Sequence, residues 1–337
     1  MAVEVSGSSH RIGLALSGGG FRAAAFHLGV MQALHRLRLL DKIDLLSCVS
    51  GGSIAGATLA LHWSDGQALQ QLDTYLRTTS IAVASAIGGI LDPFESRLDK
   101  LAHSYDRDLF GGQALAALSA GPRIYLNATN LATGNMFFFV AGGSKPTEMG
   151  DHEMGVCAAD GIAISRAVAA SSAFPPVFAP LKLGPELYPH AAPIDYVTLT
   201  DGGIYDNMGV NPALRTDRNP LDYLIISDGG KPFANQSEPT GKGSVVLVAA
   251  LDIMMEQIRG LEFDRVQHRH LAGKGPKPLW FSIDSEIGEE RPGDAVFASS
   301  IGTNLKALRG QEMDVLTRHG GALVTSRLAK YAPELIA

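Results

Sequence analysis

The segment Ser47-Cys48-Val49-Ser50-Gly51-Gly52-Ser53 places three hydroxyls within seven residues, between the apolar runs Ile43-Asp44-Leu45-Leu46 and Ile54-Ala55-Gly56-Ala57. A strand, a sharp turn of small residues and a helix, in that order, display a nucleophilic serine at the tip of the turn. The pattern G-x-S-x-G demands small residues two places to either side of the serine, because larger side chains would collide there. Ser47 has Leu45 and Val49 at those places and fails. Ser50 has Cys48 and Gly52, and Ser53 has Gly51 and Ala55, so both satisfy the pattern about equally. Topology separates them: the nucleophile comes directly off the strand, and the apolar run ends at Val49. Ser50 is therefore the expected nucleophile. Ser53, beside Ile54, reads as a cap or first-turn residue of the helix, and Ser47 as an ordinary strand residue.

A second small-residue loop, Gly18-Gly19-Gly20-Phe21-Arg22-Ala23, follows the apolar run Ile12-Gly-Leu-Ala-Leu-Ser17 and opens a helix. Backbone N–H groups at the positive end of a helix dipole attract anions. A phosphate loop would need Gly-Lys-Ser/Thr, which is absent. Gly18-x-Gly20-x-x-Ala23 satisfies the dinucleotide pattern G-x-G-x-x-G/A, but that site also needs an acid at the end of the second strand. Asp41 and Asp44 precede that strand, and Ser50 stands at its far end. The remaining readings are an oxyanion hole for acyl transfer and a tight turn without a ligand. Arg22, next in line, either holds this loop, meets a phosphate, or is a solvated first-turn residue.

A serine hydroxyl needs a neighbouring base. His268, His270 and His319 come late enough in the chain but have no local context, and no pair among the ten histidines has metal-ligand spacing. Aspartate as direct base leaves two similar candidates, Thr200-Asp201-Gly202-Gly203 and Ser227-Asp228-Gly229-Gly230, each ending an expected strand at the carboxyl edge of the sheet. Asp-Gly is also a turn signal in its own right, and spacing alone does not choose between the two.

The elements that must hold these groups are legible as alternating short apolar runs and helical stretches, the pattern of an α/β protein with a mainly parallel sheet covered by helices. Expected strands are 12–16, 45–49, 124–129, 136–140, 196–200, 223–227 and 279–283. Phe26, Val30, Leu34 and Leu37 form one helical stripe; 244–271 reads as a helix with Val248, Leu251, Met255 and Ile258 on one side. Loops are expected near 142–145, 183–193 and 232–243. No linker divides the 337 residues, so a single domain is expected, its last 45 or so residues being helical cover. The net charge of −6 argues against nucleic acid as the main partner. Two cysteines, Cys48 and Cys157, make no disulfide framework, and the N-terminus lacks a secretory pattern, so a cytoplasmic protein is expected. The apolar run 80–91 falls short of the roughly 18 residues that span a bilayer. It reads as a buried helix, with contact at a lipid surface as the alternative.

These elements in this order resemble the patatin-like phospholipase family, whose members are Ser–Asp acyl hydrolases, from about Ile12 to Pro212. The family's glycine-rich oxyanion loop with a following basic residue matches Gly18-Gly19-Gly20-Phe21-Arg22, and its elbow matches Cys48-Val49-Ser50-Gly51-Gly52. Its Ala/Ser-rich helix running into a proline turn matches Ala167 to Phe178. Its Asp-Gly-Gly/Ala motif with a later Asn-x-Pro-like segment matches Asp201-Gly202-Gly203 with Asn211-Pro212; Asp228 has no such follow-up. The resemblance implies a three-layer α/β/α fold and a Ser50–Asp201 dyad. It also implies an oxyanion hole from Gly18, Gly19 and Gly20, with Arg22, Gly52, Gly202 and Gly203 in support. No cofactor or metal is implied; the substrate would be a phospholipid or other lipid ester, met at a transient membrane surface. Two departures stand out: Cys48 replaces the first elbow glycine, and Ala23 a glycine often found after the basic residue. Both are small, and activity is expected to survive them. A nucleotide-dependent oxidoreductase and a non-catalytic lipid-binding module are the alternatives.

Overall fold

Strand β2 (Ile43–Val49) delivers Ser50 to one edge of the sheet, and its neighbour β1 (Ile12–Leu16) delivers the glycine loop beside it, because the two run parallel with Leu16 opposite Cys48. The computed structural model describes residues 10–63, 66–81, 94–233, 241 and 243–336. Among these, ten strands form one sheet. Its parallel centre is β10 (Lys277–Ser282), β9 (Tyr223–Asp228), β1, β2 and β3 (Arg123–Asn130) in that order. Strands β4 (Met136–Ala141), β5 (Glu148–Asp151) and β6 (Gly155–Ala158) extend it antiparallel beyond β3. The seven strands expected from the sequence are present, each end within two residues of its expected place. β5, β6 and β7 (Leu181–Leu183) were not expected. They are only three or four residues long, too short to show an alternating pattern; β5 and β6 pair with each other as a hairpin, and β7 pairs with β8.

Helices cover both faces. On one lies the larger core, with α1 (Gly20–Arg36), α2 (Gly51–Leu61), α3 (Gln67–Thr78), α4 (Phe94–Tyr105) and α5 (Ile164–Ser171). On the other, a smaller core gathers Ala15, Leu45, Tyr125, Leu224 and Ile226 under Met208–Leu214 and Val266. The short α6 (Gly203–Asp206) precedes that segment, and Val266 belongs to α7 (Gly243–Leu271). The C-terminal helices are α8 (Asp294–Ser300) and α9 (Gly310–Tyr331). α9 lies directly on α1, where small residues let the backbones touch: a Cβ on Gly29 would stand 2.0 Å from the Thr317 carbonyl oxygen, and one on Gly320 2.3 Å from that of Phe26. Of the expected helix 80–91, residues 82–91 lie outside the described residues, as does most of the expected loop 232–243.

One feature of the sheet differs from a simple parallel arrangement and makes the site. β8 (Val197–Asp201) pairs antiparallel with β3 at Ala128, Thr129 and Asn130, just past Asn127, which faces Val49, the last residue of β2. β8 therefore continues the line of β2 from the opposite direction, and the C-terminal tips of the two strands meet. Asp201 reaches the edge that carries Ser50 on an antiparallel strand rather than on a member of the parallel set.

Candidate active site

Ser50 sits between β2 and α2 with φ 51° and ψ −115°, a strained conformation for a residue with a side chain. The turn that holds it leaves no room for side chains: a Cβ on Gly51 would lie 2.2 Å from Gly20 O, and one on Gly52 2.1 Å from Leu16 O. The Ser50 N–H donates to Ser171 Oγ (3.0 Å), whose own hydroxyl donates to Asn127 O (2.6 Å). Ser53 spends its proton on the same Ser171 oxygen (2.7 Å) and is fully buried. Ser47, also buried, accepts from Asn127 Nδ2 (3.0 Å) in the strand. Of the three hydroxyls only that of Ser50 faces the cavity described below.

Asp201 is 2% exposed. Burial pushes its carboxyl up from 3.8 to about 7; the Gly203 N–H (2.8 Å) and the Ser50 hydroxyl act in the opposite direction by hydrogen bonding to it. Gly202 must be glycine because a Cβ there would stand 2.3 Å from Asn127 O; a Cβ on Gly203 would stand 2.6 Å from Asn207 Oδ1 and force that side chain to move. The other candidate, Asp228, ends β9 and is neutralised by a partner: Arg259 Nε lies 2.5 Å from its Oδ2, while Gly230 N–H donates to Oδ1 (3.1 Å). Asp228 is thus a salt-bridged anchor between β9 and α7.

In the glycine loop, Gly19 (φ 138°) and Gly20 (φ 61°) adopt backbone conformations that favour glycine. The Gly18 N–H donates to Asn207 O (3.0 Å), so this member of the expected trio is occupied. The N–H groups of Gly19 and Gly20, and that of Gly51 directly after Ser50, have no acceptor among the described residues. Arg22 is fully buried, which excludes a solvated role. Its guanidinium donates to Gly229 O (3.1 and 3.3 Å), Ile301 O (2.9 Å) and Thr303 Oγ1 (2.8 Å), and burial lowers its pKa to about 10. It ties α1 to the strand-end loop after β9 and to the segment before α9. His27 braces the same edge: Nε2–H donates to Ser17 O (2.9 Å), so Nδ1 accepts from the Ser227 hydroxyl (2.8 Å), and burial lowers its pKa to about 4.

Ser50, Asp201, Gly19, Gly20 and Arg22 border a cavity of about 780 Å³. Ser50, Asp201, Gly19, Gly20 and Asn207 line its floor, and Ile54, Ile81, Phe174, Val177, Phe178, Met255 and Leu305 contribute apolar walls. Among the described residues, no histidine lines it. His319 is buried with Nε2 on Ile283 O (2.9 Å), and His268 bonds Asp264 O within its own helix. Asp44, one of the two acids at dinucleotide-site distance, accepts the Ile12 N–H (2.8 Å) at the start of β1, the opposite end of that strand from the glycine loop. Ser171 and Asn207 were not singled out from the sequence. Ser171 lay inside the Ala/Ser-rich segment, but its contact with the elbow spans 121 residues.

Compared with known protein families, residues 14–214 match the patatin-like phospholipases. The chain belongs to that family. A comparison with curated proteins returned no match. Among solved structures, human GIVD cytosolic phospholipase A2 is similar, with a TM-score of 0.59 at 14% identity over 97% of this chain and 62% of that one. The same human enzyme in complex with methyl γ-linolenyl fluorophosphonate inhibitor and terbium chloride gives a TM-score of 0.58 at 14% identity, over 97% and 59% of the two chains. This chain thus spans about three-fifths of the length of the human enzyme.

Against the patatin-like pattern, Cys48 is the notable departure, and the structure accounts for it. The Cys48 side chain is fully buried on the α2 side of the sheet, and a Cβ on Gly56 would lie 2.3 Å from its Sγ. The room that a glycine at position 48 would leave is supplied by a glycine on the facing helix. Gly56→Ala is therefore expected to destabilise the protein by about 1–3 kcal/mol through overpacking, and Cys48→Gly in the same chain to recover much of that loss. Urea unfolding of the two single variants and the double variant measures the coupling. Additive effects would show that the two sites do not share this space.

Proposed function

We propose that this patatin-like phospholipase is a lipid acyl hydrolase with a Ser50–Asp201 dyad. The observation that carries the reading is the meeting of a strained, cavity-facing Ser50 with a buried Asp201 carboxyl, beside unengaged N–H groups at the floor of an apolar cavity. Ser50 Oγ attacks the ester carbonyl carbon while its proton passes to Asp201. The carbonyl oxygen becomes an oxyanion held by Gly19 and Gly20 N–H, with Gly51 N–H as a third donor; each such donor is worth roughly 2.7–4 kcal/mol to the transition state. Collapse of the adduct breaks the ester C–O bond, and the leaving alkoxide takes the proton from Asp201. Water then adds to the acyl-serine, giving its proton to Asp201, and a second collapse frees the carboxylic acid and restores Ser50.

A pKa near 7 suits the base, since a carboxylate at its ordinary value is a weak acceptor for a serine proton. The cavity's volume lies in the range of sites that enclose organic ligands, and its apolar walls suit an acyl chain. The expected substrates are carboxylic esters of membrane lipids. Fatty-acid release from a panel of phospholipids, lysophospholipids and neutral glycerides tests the reading, with Ser50→Ala as control. Binding of liposomes without any released acid would point to a lipid-binding module instead, and a thermal shift with NAD or FAD to a nucleotide enzyme.

A further inference from the structure

The first half of α7 carries an unusual surface. From Gly243 to Leu251 it has no ionisable residue, and only Asp252 interrupts the apolar run as far as Met255. Val245, Leu247 and Met254 are 47%, 69% and 58% exposed, and Val246, Val248 and Ile253 are exposed as well. At 3.6 residues per turn, Val248, Asp252 and Met255 share one side, the one that lines the cavity. Leu247 and Met254, seven residues apart, lie on a flank, and Val246 and Ile253 further round. The second half is different: Glu262 and Val266 are buried, and Arg259 and Arg265 bond residues beneath the helix. Apart from Ser244 and Asp252, the first half is thus apolar all round but meets the protein along one side only. A helix of that kind is normally buried, and a folded protein partner would cover a single face of it. A lipid–water interface covers all the exposed sides at once.

Two further observations point to lipid. The exposed Phe233, 43% accessible, lines the same cavity, so the apolar surface is continuous with the opening through which an acyl chain would pass. Lys231 and Lys306, both exposed, border that opening alongside Asp252 and Glu256, with Lys231 close enough to Asp252 to act on its carboxyl, and offer positive charge to head-group phosphates. Among the described residues no helix is long and apolar enough to cross a membrane, so the contact is interfacial. We propose that the N-terminal half of α7, with Phe233, docks this protein onto a phospholipid bilayer, with head-group phosphates meeting Lys231 and Lys306. The proposal rests on the acyl-hydrolase reading in one respect: that reading makes the adjoining cavity a substrate entrance.

Co-sedimentation with phosphatidylcholine–phosphatidylglycerol vesicles, performed on the Ser50→Ala chain so that the lipid stays intact, tests docking without reference to turnover. Adding Leu247→Glu and Met254→Glu is expected to lower vesicle partitioning at least about tenfold, because two apolar side chains no longer leave water. With Ser50 restored, the same pair should lower hydrolysis of vesicle lipid in step while turnover of a soluble short-chain ester stays at the parent level, since neither residue lines the cavity. If soluble-ester turnover also falls, Leu247→Ser alone takes the place of the pair in the partition measurement. Partitioning equal to that of the parent overturns the proposal. So does a parent dimer, seen by light scattering, that the variants dissociate while vesicle binding persists; a second copy of the chain would then be the occupant. Ester hydrolysis that survives Ser50→Ala would sink the hydrolase reading and leave the partition result standing.

Discussion

Ser50→Ala is expected to lower kcat/KM for ester hydrolysis by at least about 10⁴-fold, the scale seen when a nucleophile that works as a unit with its base is removed. Among the described residues, the other hydroxyls near Ser50 are each engaged in a hydrogen bond elsewhere. Ser53 is fully buried and donates to Ser171; Ser172 donates to Val168 O (2.8 Å); Thr303 accepts from Arg22; Ser80 accepts the Ala307 N–H (2.9 Å). Ser53→Ala removes one buried hydrogen bond, worth about 1 kcal/mol of stability, and leaves the Ser50 hydroxyl and its partner in place. Its kcat/KM should stay within about tenfold of the parent. A serine-directed fluorophosphonate separates the two without any substrate: labelling is expected in the parent and in Ser53→Ala, and to be lost in Ser50→Ala. The reverse pattern would put the nucleophile three residues further along the chain and into the first turn of α2.

The parts of this site that the sequence exposes are those built from contiguous residues. The elbow and the glycine loop each consist of a strand end, a small-residue turn and a helix start, so their geometry is written within about ten residues. Asp201 is a different case. Its rival Asp228 has the same Asp-Gly-Gly context, and what distinguishes them is topological. β8 runs antiparallel and takes over the edge of β3 where β2 stops, and Arg259, which neutralises Asp228, comes from a helix 31 residues later. Neither fact is periodic or local, so only the family resemblance favoured Asp201 beforehand. Cys48 shows an intermediate situation. Its compensating Gly56 is eight residues away in the sequence, but their contact is visible only once α2 is known to pack back along β2. The short strands β5, β6 and β7 escape the sequence pattern for a related reason, being segments whose strand character comes from the partner and not from their own composition.

Asp201→Asn should separate activity from stability in opposite directions. The amide preserves shape and still accepts from the Gly203 N–H, but it takes no proton from Ser50, and a fall in kcat of about 10⁴ is expected. In the parent, kcat/KM should rise about tenfold per pH unit up to about 7 and then level off, as the carboxyl becomes the basic form. The stability effect has the opposite sign. Because burial raises the folded-state pKa, the native protein keeps a proton that the unfolded chain has already released between about pH 4 and 7. The parent should therefore lose stability as pH rises through that window, and the displacement from 3.8 to about 7 corresponds to about 4 kcal/mol at its upper limit. Asparagine carries no charge to bury. The variant and parent should be similarly stable near pH 4, and the variant more stable at pH 8, as measured by urea unfolding at the two pH values. An Asn variant less stable than the parent at pH 8 would mean that the carboxylate is well accommodated and serves the fold. Greater stability with lost turnover would mean that the fold carries a destabilising buried charge because the chemistry at Ser50 requires it.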